Sequence, residues 1–363
     1  MTIALQGSSP SISTQSIPNK IHRLKFHGTG EALFGIFILN LLKIILTLGI
    51  YYFWGKVKTR TFIWGQTEFA GDRFAYHGTG LELFLGWVKA SVLFGGVLAL
   101  QWVLTVSDHP YIGTLALWLG IGGLVPLAQI GTMRYRLSRS SWRGVRFSFR
   151  GAVQPFFLLS LRGLALSAIT FGIFYPFYEC ESRAYLIDQS RFGSSSFQFD
   201  GQPKDLFWIY ARHSIAMLVG MVVLAGIIFA THDLTAVGNG SVSPLIGFAM
   251  FVPFMVLVGI VMLSVNVSRR RFFSNHTSFA GARFKTTITM GNLLRLYATN
   301  ALLLLFTLGL AFPWVTVRSR RYDCDHLTLT GVLDLDVIQQ DAQKATAVGE
   351  ELSGFLDVDA LPG

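Results

Sequence analysis

Four long apolar runs constrain this chain more than any other feature of its sequence. They cover residues 90–104, 112–130, 214–230 and 244–265. About 20 residues of α-helix span the hydrocarbon core of a bilayer. Within each pair of runs the connector lacks lysine and arginine, whereas the outer flanks are basic. Basic flanks face the cytoplasm, so the runs predict two transmembrane hairpins with their connectors outside.

The composition agrees with a membrane protein. Apolar residues make up 52% of the 363 residues and charged residues only 14%, whereas soluble domains carry about 25% charged residues. The net charge is +10, and the bases cluster beside the apolar runs, as the positive-inside bias produces. These numbers argue against a soluble enzyme, a disordered chain and a nucleic-acid partner. They predict a polytopic membrane protein.

Short alternating segments of aromatic and polar residues divide the chain into similar units. Four of them end in glycine, and a fifth fits loosely: residues 24–28 (LKFHG), 74–78 (FAYHG), 147–151 (FSFRG), 197–201 (FQFDG) and 283–287 (RFKTT). Alternation of period two predicts short β-strands with one apolar face. An apolar run and then a basic, aromatic segment follow each strand. We expect about five repeats, near residues 24–73, 74–146, 147–196, 197–283 and 284–331.

The predicted fold class is an all-α polytopic membrane protein built from these repeats. Its short cytoplasmic strands are expected to pair into a small sheet, because isolated strands would leave open edges. The polar residues 1–21 are predicted to be a disordered leader. Residues 332–363 carry seven acidic side chains from position 334 onward and only one lysine, and they are predicted to be a disordered tail.

The first, third and fifth units leave two topologies open. Each has one apolar run that ends in a similar turn, at residues 47–54 (TLGIYYFW), 170–177 (TFGIFYPF) and 307–314 (TLGLAFPW). Single crossings would give seven spans and would place the basic residues of 134–143 and 269–271 on opposite sides of the membrane. Re-entrant or interfacial units would give four spans and keep all basic segments cytoplasmic. The glycine in each turn favours a break in the helix.

Several of these strings resemble the YjgN-like family of bacterial multi-pass inner-membrane proteins. The resemblance rests on residues 27–30 (HGTG), 47–60 (TLGIYYFWGKVKTR) and 74–78 (FAYHG), and it recurs at 312–322 (FPWVTVRSRRY). It covers most of residues 22–331. The function of the domain that defines this family is unknown. The resemblance therefore implies a location and a fold, and it supplies no catalytic residues.

Polar side chains within or beside the apolar runs are candidate ligand contacts. Lys89, Arg162 and Arg212 each follow a strand-end glycine by eleven residues, and Asn40 and Asn300 each precede a turn glycine by nine. A charge deep in the bilayer is costly and is a functional candidate by default, whereas long side chains near the edge of a run extend to the interface. We expect contact with an anionic lipid or small molecule, with interfacial placement as the alternative.

The basic, aromatic segments form a second candidate set. Trp and Tyr next to Arg and Lys anchor helices at the level of the lipid headgroups. The set is Trp54, Lys56, Lys58, Arg60, Arg134, Arg136, Arg270, Trp314, Arg318 and Arg320. Recognition of an anionic lipid and generic anchoring both remain open. The third unit departs from the pattern, because Glu179 and Glu181 stand where bases are expected.

No motif predicts catalysis. The sequence has no P-loop, no nucleotide-binding glycine fingerprint and no nucleophile elbow, and we expect no enzyme activity, metal or cofactor. His27 and His77 recur before Gly-Thr-Gly, where strand-end hydrogen bonding competes with a metal or pH-sensing role. The predicted function is transport, or the handling of lipids or anionic small molecules. The alternative is a non-catalytic scaffold or assembly partner that contacts other proteins through its cytoplasmic face.

Overall fold

The computed structural model describes residues 21–235 and 244–333, and it describes side chains for all of these except 228–250. The predicted leader up to residue 20, residues 236–243 of the second outer connector and the tail from residue 334 lie outside the described residues. Within the described chain, the order strand, helix, helix, strand occurs five times.

The elements have the following bounds. The strands are β1 (Ile21–Phe26), β2 (Thr67–Phe69), β3 (Asp72–Tyr76), β4 (Ser140–Trp142), β5 (Val145–Phe149), β6 (Ser190–Phe192), β7 (Ser195–Phe199), β8 (Thr277–Phe279), β9 (Ala282–Thr286) and β10 (Leu327–Thr330). The helices are α1 (Gly30–Leu46), α2 (Tyr52–Gly65), α3 (Gly80–Val106), α4 (Pro110–Ser138), α5 (Val153–Ile169), α6 (Tyr175–Asp188), α7 (Pro203–Thr235), α8 (Pro244–Asn275), α9 (Met290–Phe306) and α10 (Phe312–His326).

The ten strands form one closed antiparallel barrel. Each strand pairs with its neighbours in sequence, and β1 also pairs with β10. Apolar side chains meet across the pairs inside the barrel: Leu24 with Phe69, Phe74 with Trp142, Phe147 with Phe192, Phe197 with Phe279, and Phe284 with Leu329. The prediction of an all-α, repeat-built protein with a small sheet is therefore wrong. Strands of three to six residues have exposed edges as isolated pairs, and closure removes every edge.

Helices continue from one end of the barrel, and a buried residue one turn into each first helix fixes the junction. These residues are Leu33, Leu83, Phe156, Leu206 and Leu293. Each packs against residues from neighbouring strand ends or second helices. Successive helix pairs contact one another, and α10 contacts α1. The helix pairs therefore form a closed ring above the barrel.

Two kinds of helix pair form this ring: long and short hairpins alternate along the chain, and the two short hairpins at its ends meet where the ring closes. The long hairpins, α3–α4 and α7–α8, contain four stretches long and apolar enough to cross a membrane: Gly80–Val106, Pro110–Ser138, Pro203–Ile227 and Phe251–Asn275. These coincide with the four predicted runs. The short hairpins are α1–α2, α5–α6 and α9–α10, with helices of 14 to 17 residues. Both ends of each short hairpin join the same barrel end, which is the geometry of re-entrant rather than crossing units.

Candidate functional site

Two lysines converge on one tyrosine near the turn of the first short hairpin. Lys58 Nζ donates a hydrogen bond to the Tyr51 hydroxyl at 2.9 Å, and the Lys43 ammonium lies 5.2 Å from the centre of the Tyr51 ring. Thr47 holds the turn, because its hydroxyl donates to the carbonyl of Lys43 at 2.7 Å and accepts from the backbone N–H of Tyr51 at 2.9 Å. We call Lys43, Tyr51 and Lys58 the lysine–tyrosine cluster.

The electrostatics of this cluster favour an anion. The hydrogen bond from Lys58, followed by the charges of Lys58 and Lys43, lowers the pKa of Tyr51. Both lysines are exposed, and Lys56 adds a third ammonium group 5.8 Å from the centre of the adjacent Tyr52 ring. Positive groups held together in this way attract a negative group such as a phosphate. The arrangement can therefore bind an anion.

The turns of the three short hairpins are apolar and exposed. Leu48, Phe171 and Leu308 stand at the same turn position with exposed fractions of 95%, 98% and 92%. Each has a positive φ and precedes a glycine whose φ is also positive, a conformation that glycine adopts without steric cost. In the first hairpin, the lysine–tyrosine cluster therefore lies next to the apolar turn.

Asn40 and Asn300 lie inside the short hairpins as packing residues. The Asn40 amide donates to the Gly55 carbonyl at 3.4 Å, and the Asn300 amide donates to the Ser319 hydroxyl at 3.3 Å. Both asparagines are buried. Each amide therefore joins the two helices of its own hairpin.

The three predicted in-run bases lie on three different hairpins. Arg162 of α5 forms an ion pair with Glu181 of α6 at 2.5 Å. Arg212 is exposed on α7, and Lys89 is half-buried on α3. Their contact with an anionic ligand stays a prediction.

Both predicted tryptophan anchors pack on glycines that begin the next hairpin. A Cβ on Gly80 would lie 2.5 Å from the Trp54 ring, and one on Gly30 would lie 2.2 Å from the Trp314 ring. Arg134 makes a comparable contact, because it donates to the carbonyl of Gly151 at 3.1 Å. These side chains join neighbouring helix pairs, and their contact with lipid stays a prediction.

The remaining predicted anchors lie on α2, α4, α8 and α10. Arg60 donates to the Tyr76 hydroxyl at 3.3 Å, Arg270 pairs with Asp323 at 3.3 Å, and Arg318 donates to the Thr299 hydroxyl at 2.9 Å. Lys58 belongs to the lysine–tyrosine cluster. The Lys56 ammonium group lies over the Tyr52 ring, Arg136 is half-buried and Arg320 is exposed.

Sequence reasoning missed a buried ion pair that, together with one hydrogen bond, joins three helices. Glu179 of α6 is buried, forms an ion pair with Arg269 of α8 and accepts a hydrogen bond from the Tyr210 hydroxyl of α7 at 2.7 Å. The signal was present, because Glu179 stands where the third unit departs from the basic pattern. Its partner lies 90 residues away, and no local spacing links the two.

The two recurring histidines bond at the strand ends. His27 Nε2 lies 2.8 Å from a carboxylate oxygen of Glu68, and His77 Nε2 lies 2.8 Å from the Ser141 hydroxyl. Neither belongs to a group of three or more potential metal ligands within the part of the chain that the structure describes.

Residues 21–355 match the model of a family described as bacterial protein of unknown function (DUF898). The chain belongs to this family. It is 34% identical to the inner membrane protein YjgN of Escherichia coli K12 over 162 residues, which are 44% of this chain and 39% of that protein. It is 26% identical to the protein of that name from Escherichia coli O157:H7 over 92% of this chain and 94% of the relative.

The Salmonella typhimurium protein of that name is 22% identical over 87% of this chain and 90% of its own length. No solved structure matches. The resemblance to the YjgN-like family is therefore confirmed. The relatives are named inner-membrane proteins and the described residues of this DUF898 protein contain four candidate spans, so its predicted inner-membrane location is confirmed too.

Proposed function

We propose that this DUF898 protein handles anionic lipids in the cytoplasmic leaflet of the inner membrane. The observation that supports this most directly is the lysine–tyrosine cluster. It presents two exposed ammonium groups on a hairpin that is shorter than the neighbouring spans and ends in an apolar turn.

Helix lengths give the depth of the cluster. Helix α1 has 17 residues and α3 has 27, which correspond to about 25 Å and about 40 Å. Both helices begin two residues after a strand-end glycine, Gly28 or Gly78. When α3 crosses the bilayer, α1 therefore stops about 15 Å short of its far end, which is half of a hydrocarbon core of about 30 Å.

This depth favours a lipid over a soluble anion. Exposed Leu48 extends into the apolar interior, whereas the ammonium groups of Lys43 and Lys58 extend back toward the headgroups along their own aliphatic stems. A hydrophobic element shorter than the bilayer is accommodated by local thinning. Where the bilayer is thinned beside the anion site, a lipid headgroup bound at that site would have a shorter distance to cross to reach the other side of the bilayer.

Selective lipid retention by the whole detergent-solubilised protein tests the proposal. Native mass spectrometry in an equimolar mixture of phosphatidylglycerol and phosphatidylcholine measures the preference for the anionic lipid. Each basic side chain near an anionic surface contributes about 1 kcal/mol. Changing Lys43→Gln and Lys58→Gln together should therefore lower the preference about 30-fold.

The matched control is Lys25→Gln with Lys285→Gln, which removes two exposed lysines from outward faces of barrel strands. This control should retain the phosphatidylglycerol preference. An equal effect of the two double variants, or no effect of either, would overturn the proposal.

A scaffold role is the second candidate, and the outer face of the barrel favours it. Arg23, Lys25, Arg146 and Lys285 are exposed there, so the barrel presents positive charge to an acidic partner. An amine-reactive crosslinker applied to membranes should then capture a protein partner that is lost with Arg23→Gln and Arg146→Gln, which remove charge but leave the reactive amines of Lys25 and Lys285 in place. Unchanged crosslinking in that variant counts against the scaffold.

A further inference from the structure

The interior of the barrel contains a partly open apolar cavity of about 230 Å³. Aromatic side chains form much of its wall, among them Phe69, Phe74, Trp142, Phe147 and Phe197. Four of these five are only half-buried. Their rings therefore keep accessible surface that faces the interior of the barrel.

The strand number explains why space remains. A barrel of about eight strands has an interior that side chains just fill, or that holds one small ligand. Diameter grows with strand number, and ten strands leave more room than even a lining of aromatic rings occupies. An apolar cavity of about 150 Å³ is large enough to bind benzene. A cavity of 230 Å³ has room for about eight water-sized groups of ~30 Å³ each.

One polar atom in the cavity wall indicates how a ligand would be oriented. His22 lines it, and its Nε2 atom is buried without a hydrogen-bond partner among the described residues. His22 is the second residue of β1, so it lies at the barrel end away from the helices. A buried polar atom without a partner costs about 1–3 kcal/mol, which a ligand that hydrogen-bonds to it would offset.

We propose that the barrel lumen is a binding site for a single-chain carboxylic acid of about six to eight carbons. The carboxyl group hydrogen-bonds to His22 Nε2 at the cytoplasmic end, and the alkyl chain packs on the aromatic rings toward the helices. The site lies at the opposite end of α1 from the lysine–tyrosine cluster and goes beyond the function proposed above.

Photochemical labelling of the full chain in nanodiscs tests the site. The probe is octanoic acid that carries a diazirine at the end of its chain, and peptide mapping locates the adducts. We expect adducts on peptides containing Phe74, Phe147 or Phe197, with unlabelled octanoate competing and butyrate not. Adducts confined to the four candidate spans, or barrel adducts that octanoate does not reduce, would overturn the proposal.

Two neighbouring positions on β1 provide a matched pair. Leu24 lines the cavity, whereas Lys25 is exposed on the outside. Leu24→Trp should fill the lumen and lower barrel labelling at least tenfold, and Lys25→Trp should leave it unchanged. Equal labelling in the two variants would contradict a lumen site. The phosphatidylglycerol preference of Leu24→Trp should stay at the wild-type level, which separates this test from that of the lipid function.

Replacement of His22 tests the orientation of the bound acid independently of Leu24→Trp. His22→Phe keeps an aromatic ring but cannot hydrogen-bond to a carboxyl group. We expect about a tenfold higher probe concentration at half-maximal barrel labelling. For a diazirine-bearing alkane of the same length, which has no hydrogen-bonding group, the wild type and His22→Phe should differ less than twofold. An equal shift for acid and alkane would refute the contact with His22.

Discussion

Two glutamates of α6, Glu179 and Glu181, are predicted to differ in their contribution to stability, because one is buried and the other is not. Glu179 is 6% exposed and pairs with Arg269, whereas Glu181 is 34% exposed and pairs with Arg162, which is 60% exposed. Removing one partner of a buried pair costs about 3–5 kcal/mol, and an exposed pair contributes about 0–1 kcal/mol. Because Arg269 is 30% exposed, we expect Glu179→Gln to cost about 3 kcal/mol and Glu181→Gln less than about 1 kcal/mol.

Reversible unfolding in mixed micelles measures both values. The full chain in a mild detergent is titrated with dodecyl sulfate, and tryptophan fluorescence follows unfolding. Both glutamine variants change a residue of α6 and remove one negative charge. The difference between their free energies of unfolding therefore reports the effect of burial. If Glu179→Gln does not exceed Glu181→Gln by at least ~1.5 kcal/mol, the assignment of Glu179 to a buried pair is wrong.

Replacement of both charges provides a second test of the same pair. Exchanging a buried ion pair for apolar residues of similar volume is often neutral or stabilising. Glu179→Leu combined with Arg269→Met should therefore recover most of the loss seen for Glu179→Gln. The amide oxygen introduced by Glu179→Gln can still accept from the Tyr210 hydroxyl, whereas the double variant removes this acceptor. Recovery in the double variant would therefore assign the cost of Glu179→Gln to the unpaired Arg269, and a double variant as unstable as Glu179→Gln would contradict that assignment.

Two further predictions use the buried cysteines and the glycines of the helix starts. Burial raises the pKa of the Cys180 thiol to about 12 and that of Cys324 to about 11, so little thiolate forms at neutral pH and maleimide should label neither before unfolding. Fast labelling of the folded protein would contradict this. Gly80→Ala forces a Cβ to within 2.5 Å of the Trp54 ring and should cost about 1–3 kcal/mol, whereas Gly35→Ala, in open space, should stabilise α1 by up to about 1 kcal/mol.

The spans were predictable because hydropathy needs only local composition. The apolar run of residues 90–104 lies within Gly80–Val106, and the segment of residues 74–78 lies at the end of β3. The barrel was not predictable in the same way. Strand β4 has three residues, too few to show a period of two, and it is defined by its pairing with β3, more than 60 residues earlier.

The candidate site shows the same division between local and distant signals. Lys58 was recognised from the sequence as a basic anchor beside an apolar run, whereas Lys43 was not among the predicted site residues. The turn between α1 and α2 brings them together at Tyr51, and the sequence did not determine whether that segment turned back or crossed. The pair of Glu179 and Arg269 depends on contact between helices of different units, so neither residue alone predicts the other.

The barrel and the helix ring stabilise each other at the point where the chain closes. A strand pair of three to six residues is marginal by itself, and β1 gains its second neighbour only from β10, where Ile21 pairs with Thr330. Above that pairing, Trp314 packs on Gly30 as Trp54 packs on Gly80. A contact between tryptophan and glycine therefore joins the last helix pair to the first, which closes the ring. An equivalent contact joins the first helix pair to the second. Since every hairpin is fixed at both ends to one barrel, the depth of the lysine–tyrosine cluster follows from the barrel's position relative to the membrane.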